Sequence, residues 1–360
     1  MPNLKPLLLA QTPTPLQRLE RLSHIWNSEI WIKRDDLTGT ALTGNKVRKL
    51  EYLLADAVGQ GADTVITCGG VQSNHCRATA VACARVGLKC ELLLRDATGS
   101  PPLTPPRKRG GESQVGREWG EGIRRTDKNV HPTALDGNLL LDRLVGARVH
   151  FISEEDYYRD LPGALEEVAG QVRTRGGKPY IVPEGGSNAV GAWGYVEALR
   201  EALEQCRKLG ADIKRIVVAT GSGGTHAGLF VGARREGWDV EVVSAAVCYD
   251  TPETARRVFA IVKAMEDRYN LSLKAKVDDI KVWDSYRGPG YAQAGEDEFK
   301  VIAEVAQAEG ILVDPVYTGK AARAVQCEAA AGKLSGATLF WHTGGVFGLF
   351  PFREGLQRIV

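Results

Sequence analysis

The sequence predicts an α/β protein built on two open, twisted sheets with flanking helices, and three observations carry that expectation. Short β-branched runs alternate with longer amphipathic runs along most of the chain, which is the pattern of βαβ units. Polar, glycine-bearing segments fall where strands give way to helices, as in Gly69-Gly70-Val71-Gln72-Ser73-Asn74-His75 and Gly221-Ser222-Gly223-Gly224-Thr225-His226-Ala227-Gly228. In open α/β sheets such loops sit at the carboxyl ends of the strands, where ligands bind. The length of 360 residues implies about two domains at ~150 residues each.

Residues 12–46 read as an entry segment. Thr12-Pro13-Thr14-Pro15-Leu16 is extended by proline geometry, and Glu29 to Lys33 alternates as a short strand ending at Arg34-Asp35-Asp36. After Gly44-Asn45-Lys46 a helix is expected, because Val47, Leu50, Leu53, Leu54, Ala57 and Val58 share one face. Gly61 opens a turn before a strand at Thr64 to Cys68, a helix from Asn74 to Val86 and a strand at Cys90 to Leu94. From about Ala97 to His131 the periodicity collapses. Pro101, Pro102, Pro105, Pro106, the cluster Arg107-Lys108-Arg109 and many glycines predict a disordered, solvated insertion in preference to a nucleic-acid contact.

Order resumes with a helix around Asn138 to Val145, a strand at Arg148 to Ile152, a helix over Gly163 to Thr174 and a strand at Lys178 to Val182. The polar turn Pro183-Glu184-Gly185-Gly186-Ser187-Asn188 leads to a helix over Gly191 to Leu209 and a buried strand at Arg215 to Thr220. A helix to Gly237, a strand at Glu241 to Val247 and a helix over Thr251 to Asn270 continue the alternation. An irregular stretch spans Trp283 to Tyr291, and a helix ends near Gly310. Asp314-Pro315-Val316-Tyr317-Thr318-Gly319-Lys320 then enters another helix, and a strand at Thr338 to His342 runs into Thr343-Gly344-Gly345. No internal repeat is evident.

Composition excludes several classes. Lys+Arg 46 against Asp+Glu 44 leaves no charge excess to recruit a polyanion, so no nucleic-acid partner is expected. No apolar run reaches membrane-spanning length and Met1 to Gln11 has no signal-peptide layout, so the expectation is a cytoplasmic protein without membrane contact. The seven cysteines are scattered, without CxxC spacing, and predict reduced thiols with no metal site.

Three segments carry candidate chemistry. Lys46, in a glycine-bearing loop before a helix, stands where an amine can be desolvated and aimed into a cleft. Schiff-base chemistry requires this, because burial lowers the amine's pKa and frees the nucleophile. On the triplet alone a surface lysine near a helix start is the better reading, and the later segments reverse that preference. The Gly221 to Gly224 loop has the physics of a phosphate cradle, with converging N–H groups and a helix dipole behind them. It is neither a Walker loop nor a dinucleotide fingerprint, and a tight packing turn is the competing reading. Ser73-Asn74-His75 offers hydroxyl, amide and free N–H donors suited to a carboxylate, or simply caps its helix. Tyr291 and Tyr317 lie on turns flanked by glycine or proline, where a buried structural role is the default.

Read together, Gly44-Asn45-Lys46 with Arg48-Lys49-Leu50-Glu51-Tyr52-Leu53, Gln72-Ser73-Asn74-His75, Gly221-Ser222-Gly223-Gly224-Thr225, Asp314-Pro315-Val316-Tyr317-Thr318-Gly319-Lys320 and His342-Thr343-Gly344-Gly345 resemble the D-cysteine desulfhydrase and 1-aminocyclopropane-1-carboxylate deaminase family. These are fold-type II, tryptophan synthase β-like enzymes that use pyridoxal 5'-phosphate. The resemblance covers nearly the whole chain outside Ala97 to His131. It implies that Lys46 carries the cofactor as a Schiff base and that Asn74 bonds its phenolic oxygen. Lys49, Thr220 and the stretch Gly221, Ser222, Gly223, Gly224 and Thr225 would hold its phosphate, with Thr343 at the pyridine nitrogen and Thr318 nearby. Ser73, Asn74 and His75 would receive the substrate carboxylate, while Tyr291 and Tyr317 would line the reacting face.

The deaminase branch typically reads Ser-Asn-Gln, Tyr-Glu-Gly and His-Leu-Gly-Gly where this chain has His75, Thr318 and Thr343, which favours the desulfhydrase branch. A carboxylate near the pyridine nitrogen would strengthen the electron sink for ring opening, whereas threonine suffices when a good leaving group departs from Cβ. The expected activity is α,β-elimination of D-cysteine to pyruvate, hydrogen sulfide and ammonia. Alternatives are the deaminase or another β-substituted amino-acid lyase such as an L-cysteate sulfo-lyase. A nucleotide-binding module using only the Gly221 loop is the distant rival, and it predicts a colourless protein. The resemblance further implies a large cofactor domain of residues 1–48 and 187–360, a small domain of 49–186, and a homodimer.

Overall fold

The computed structural model describes residues 4–96 and 135–360. The insertion expected at about 97–131 lies outside the described residues. Elements follow in chain order as β1 (Leu16–Arg18), α1 (Glu20–Ile25), β2 (Ile30–Arg34), α2 (Lys46–Gly59), β3 (Thr64–Gly70), α3 (Asn74–Val86) and β4 (Lys89–Asp96). Next come α4 (Gly137–Leu144), β5 (Arg148–Ser153), α5 (Glu154–Thr174), β6 (Pro179–Ile181), α6 (Ala189–Leu209), β7 (Ile213–Thr220) and α7 (Gly224–Glu236). The chain continues through β8 (Glu241–Ala246), α8 (Thr251–Tyr269), β9 (Lys281–Trp283), α9 (Glu296–Glu309), α10 (Thr318–Ala330), β10 (Ala337–His342) and α11 (Arg353–Leu356).

Two sheets form, as the alternation predicts. One is six-stranded in the order β1-β2-β10-β7-β8-β9, the other four-stranded in the order β5-β4-β3-β6. Every pairing is parallel except β1 with β2. Parallel strands are covered on both faces, and the side chains show it. In β7, Ile216 and Val218 enter one core while Val217 and Ala219 enter the opposite one. In β3, Val65 and Ile66 divide in the same way.

Four elements escape sequence reasoning. β1, α1, β9 and α11 have three, six, three and four residues, too few to show a period. The helix expected from Gly163 begins nine positions earlier, at Glu154, behind Ser153, whose Oγ accepts from the Asp156 N–H at 3.1 Å. Pro162 interrupts it. Asp160 leaves helical geometry at φ −152° and its Oδ1 caps Gly163 N at 2.9 Å, restarting the helix. Val58, at the edge of the apolar stripe of α2 and in its last turn, is 49 % exposed, while Val47, Leu50 and Leu53 are fully buried.

Helix α2 is held tightly against α6. A Cβ at Gly194 would lie 2.1 Å from the Arg48 carbonyl oxygen, so only glycine lets the two backbones approach this closely. Beneath this contact lies a buried polar network. Arg48 Nη2 bonds Asp35 Oδ1 at 2.9 Å and its Nη1 bonds Glu201 Oε2 at 3.0 Å. Tyr195 and Trp341 donate to Asp35 Oδ2 at 2.6 and 2.8 Å, and Lys33 Nζ bonds Glu201 Oε1 at 2.5 Å. Burial pushes the Asp35 carboxyl up, but the Arg48 charge and hydrogen bonds hold it below its ordinary value.

Candidate active site

The carboxyl ends of β3, β4, β7, β8 and β10 deliver their loops to one cleft of about 1000 Å³, its open mouth included. Lys46, Lys49, Ser73, Asn74, His75, Thr220, Gly221, Ser222, Gly223, Gly224, Thr225, Tyr291, Tyr317 and Thr343 all line it. Residues up to 297 positions apart in sequence, from 46 to 343, thus meet because parallel strands point the same way.

Lys46 is the first residue of α2, and its Nζ donates to Asn45 Oδ1 at 2.9 Å. The amine also faces the Tyr317 ring, 6.0 Å from its centroid. Burial, with the nearby Arg77 guanidinium, lowers the Lys46 pKa to about 8. Near neutrality an appreciable share of this amine is unprotonated and nucleophilic, unlike an ordinary lysine.

Lys49, one helical turn on, is 1 % exposed. Its Nζ bonds Gly185 O at 3.1 Å and Ser187 Oγ at 3.3 Å, both neutral groups. Burial and the neighbouring Lys46 therefore pull its pKa well below the usual value. Opposite it, Gly223 turns at φ +92° and α7 begins at Gly224. The Gly224 N–H reaches Ser187 Oγ at 3.2 Å, and a Cβ at Gly224 would lie 2.6 Å from that oxygen and 2.9 Å from Lys49 Nζ. A buried amine that a bound anion would hold protonated, a glycine loop whose space a side chain would fill, and a helix N-terminus together suit a dianionic phosphate. Gly224→Ala is expected to weaken binding of a phosphorylated cofactor by about tenfold or more. A visible-absorbance titration of cofactor-free protein measures the loss, and binding of unphosphorylated pyridoxal should change little.

Around the reacting end, Ser73 caps α3, its Oγ accepting from Cys76 N at 3.2 Å. The first N–H groups of α3, at Asn74 and His75, have no intrahelical acceptor by geometry. Asn74, which lines the cleft, accepts from Asn138 Nδ2 through Oδ1 at 3.0 Å, and this fixes which end of its amide carries the donors. Tyr291 and Tyr317 share a hydroxyl–hydroxyl hydrogen bond of 2.7 Å. Burial raises both phenol pKa values, so each hydroxyl keeps its proton at neutral pH.

Several expectations need refinement. Thr318 does not line the cleft. Its hydroxyl donates to Asp314 Oδ1 at 2.7 Å and accepts from Asp314 N at 2.7 Å, because Asp314 organises the turn entering α10. Thr220 turns its hydroxyl back to Val218 O at 3.2 Å, leaving only its backbone for a ligand. His75 Nε2 meets Thr67 Oγ1 at 2.8 Å, and that hydroxyl donates to Val182 O at 2.9 Å. The histidine must therefore donate through Nε2, and its buried Nδ1, which has no partner among the described residues, is an acceptor. Burial, with Lys46 and Lys49, holds the ring neutral, so the backbone N–H of His75, and not its ring, is the group suited to an anion.

Sequence reasoning missed Arg95, Tyr158, Glu184 and Cys248, all on the cleft wall. Arg95 and Cys248 lie at or just beyond the carboxyl ends of β4 and β8, the position that identified Ser73 and Gly221, and that rule applied to every strand would have found them.

A family model described as pyridoxal-phosphate dependent enzyme matches residues 7–344. The chain belongs to this family. Its pyridoxal-phosphate chemistry agrees with the glycine cradle, the buried Lys49 amine beside it and the desolvated Lys46 amine. The D-cysteine desulfhydrase of Klebsiella pneumoniae (strain 342) is 39 % identical over 97 % of either chain. That of Salmonella typhi is 38 % identical over 96 % of this chain and 95 % of its own. Among solved structures, an ACC deaminase homologue superimposes with a TM-score of 0.84 at 32 % identity, covering 99 % of this chain and 97 % of that one. Within the family scaffold, Lys46 is the amine suited to the cofactor's aldehyde, Lys49 with the Gly221–Gly224 loop suits its phosphate, and Thr343 stands on the wall behind.

Proposed function

We propose that this pyridoxal-phosphate dependent enzyme catalyses α,β-elimination of D-cysteine, releasing pyruvate, hydrogen sulfide and ammonia. Bound pyridoxal phosphate supplies the electron sink that makes a Cα–H bond acidic. The observation that carries the reading is the Lys46 amine, lowered to about 8 and facing the Tyr317 ring, beside two hydrogen-bonded tyrosines that keep their protons. Lys46 Nζ is the base that takes the Cα proton, since a phenol with a raised pKa is a poor base near neutrality. Ser73 and the free N–H groups of Asn74 and His75 bind the substrate carboxylate and fix the direction of Cα–H. Tyr291 and Tyr317 act as donors along the reacting face, and the Asn74 amide donates to the cofactor's phenolic oxygen.

The branch within the family is supported by the identity to D-cysteine desulfhydrases and by the cleft's acid content. Glu184 is the one carboxylate among the described residues lining it, and Tyr157 donates to its Oε1 at 2.8 Å. A wall with Thr343, and with Asp314 occupied by its own turn, favours a substrate with a leaving group on Cβ over ring opening. D-cysteine, L-cysteine, D- and L-cysteate and the cyclopropane amino acid, assayed side by side for keto-acid release, test the reading. D-cysteine should lead, and a leading cyclopropane substrate overturns it.

The pH dependence follows from Lys46. Uptake of pyridoxal phosphate by the cofactor-free protein needs the unprotonated amine. Its rate should rise about tenfold per unit at low pH and level off above the pKa, which is about 8 here. Stopped-flow absorbance measures the profile, and a break near the ordinary lysine value would contradict it. We extend the proposal to a cytoplasmic homodimer with a large domain of residues 1–48 and 187–360 and a small one of 49–186. Seven free cysteines, five of them buried, support a reducing compartment. The two sheets fall on either side of that division, the family resemblance supports the dimer, and light scattering tests it.

A further inference from the structure

Arg95 is the anomaly of the cleft. It stands near the carboxyl end of β4, is 5 % exposed, and lines the same wall as Lys46. Its guanidinium carbon lies 5.1 Å from the ring centroid of Tyr157, 4.8 Å from that of Tyr158 and 5.4 Å from that of Tyr291. Nη1 donates to the Tyr158 hydroxyl, whereas Nε is buried without an acceptor among the described residues. Buried charges are normally paired with an opposite charge, because desolvation otherwise costs several kcal/mol (roughly). The lysine and arginine groups of the network beneath α2 obey that rule, but Arg95 has three tyrosine rings, one phenol oxygen and the more distant charge of Glu184 in place of an ion pair, and cation–π contact offsets just part of the loss. Glu184, the acid of the cleft, is engaged by Tyr157 and forms no ion pair with Arg95 among the described residues.

Among the described residues, a cation held in this way has no anion paired to it. Tyr291, against which Arg95 packs, is hydrogen-bonded to Tyr317, and Tyr317 faces the Lys46 amine. The guanidinium therefore borders the space of the reacting substrate, on the side of the tyrosine pair. The substrate's own carboxylate already has the α3 N-terminus as its partner, so the second negative charge must come from the Cβ substituent.

We propose that Arg95 is the leaving-group residue, meeting the sulfur that departs from Cβ as an anion. This deepens the elimination reading and rests on it. The Cα proton goes to Lys46 Nζ, the Cα–H electron pair becomes the Cα–Cβ double bond, and the Cβ–S bond breaks with its pair on sulfur. Hydrosulfide leaves beside the guanidinium and takes a further proton from water. The aminoacrylate then hydrolyses to pyruvate and ammonia, with no oxidant or reductant required.

Leaving groups of different quality provide the test. Chloride departs readily unaided and hydrosulfide does not, so holoenzyme is assayed with cysteine and β-chloroalanine of whichever hand the wild type accepts. Arg95→Met, which keeps a long side chain between the rings, is expected to lower kcat/KM for cysteine by ~100-fold and for β-chloroalanine by no more than about threefold. Arg95→Lys should recover about tenfold of the cysteine loss, since it restores charge without the planar fork. Equal losses on both substrates in Arg95→Met make Arg95 a packing pillar and overturn the proposal, as does an unchanged ratio or a lysine variant no better than methionine. A wild type that releases pyruvate from neither substrate overturns the elimination reading instead, and this inference falls with it.

Discussion

Lys46→Ala leaves a folded but colourless protein with no measurable keto-acid release. The side chain lies at the start of α2, outside the cores that stabilise the helix, so its removal deletes an amine without opening a cavity beneath it. What disappears is the nucleophile for the cofactor's aldehyde and the base for Cα. Loss of a covalent nucleophile and a general base from one site costs on the order of 10⁵-fold or more. Borohydride treatment of the wild type followed by peptide mass analysis should find the cofactor on the peptide containing residue 46, and nowhere in the variant. Retention of both visible absorbance and turnover by Lys46→Ala would sink the assignment. Because the phosphate cradle is intact in the variant, phosphorylated cofactor should still compete for the site noncovalently, which separates loss of bonding from loss of folding.

The second large effect is on stability and lies beneath the same helix. Arg48→Met removes the ion-pair partner of Asp35, whose carboxylate is fully buried, and leaves that charge hydrogen-bonded to Thr14, Tyr195 and Trp341 with only the more distant Lys33 charge to oppose it. Breaking a buried pair from one side costs about 3–5 kcal/mol, and the denaturant midpoint should fall accordingly. The pH dependence has a definite sign. Asp35 is held below the ordinary carboxylate pKa of 3.8 in the folded protein. Its contribution is therefore fully present above that value and is lost as pH falls through the lower, folded one. The wild type should lose more stability on acidification through this range than Arg48→Met does. Replacing Asp35 and Arg48 together by apolar residues should cost less than the sum of the single changes, since no orphan charge remains.

Arg48 and Lys46 share a first turn, so the network is also what keeps the reactive amine in register. The sequence marks Arg48 only as part of a motif. It gives no sign that the partners are Asp35, thirteen residues earlier, and Glu201, far later in the chain.

Period and punctuation made much of the molecule legible. β-branched runs bounded by glycine marked β3, β7 and β10, and α3 was foreseen to the residue, since Ser73 at its start and Gly87 at its end are strong local signals. Lys46, the Ser73 loop and the Gly221 loop were visible because each combines a special residue with a strand-to-helix junction. What stayed hidden was either too short for a period, as with β1 and β9, or dependent on a distant partner.

The sequence by itself determined the α/β alternation, the position of each polar loop at a strand end, and which amine could be reactive, because these follow from local pattern and residue chemistry. Only the tertiary structure decided that Thr318 serves Asp314 and leaves the cleft, that the ring of His75 donates to Thr67, and that Arg95 stands among three tyrosines without an ion-pair partner among the described residues. Hydrogen-bond direction and desolvation depend on which atoms surround a group, and those atoms come from segments that only the folded sheets bring together.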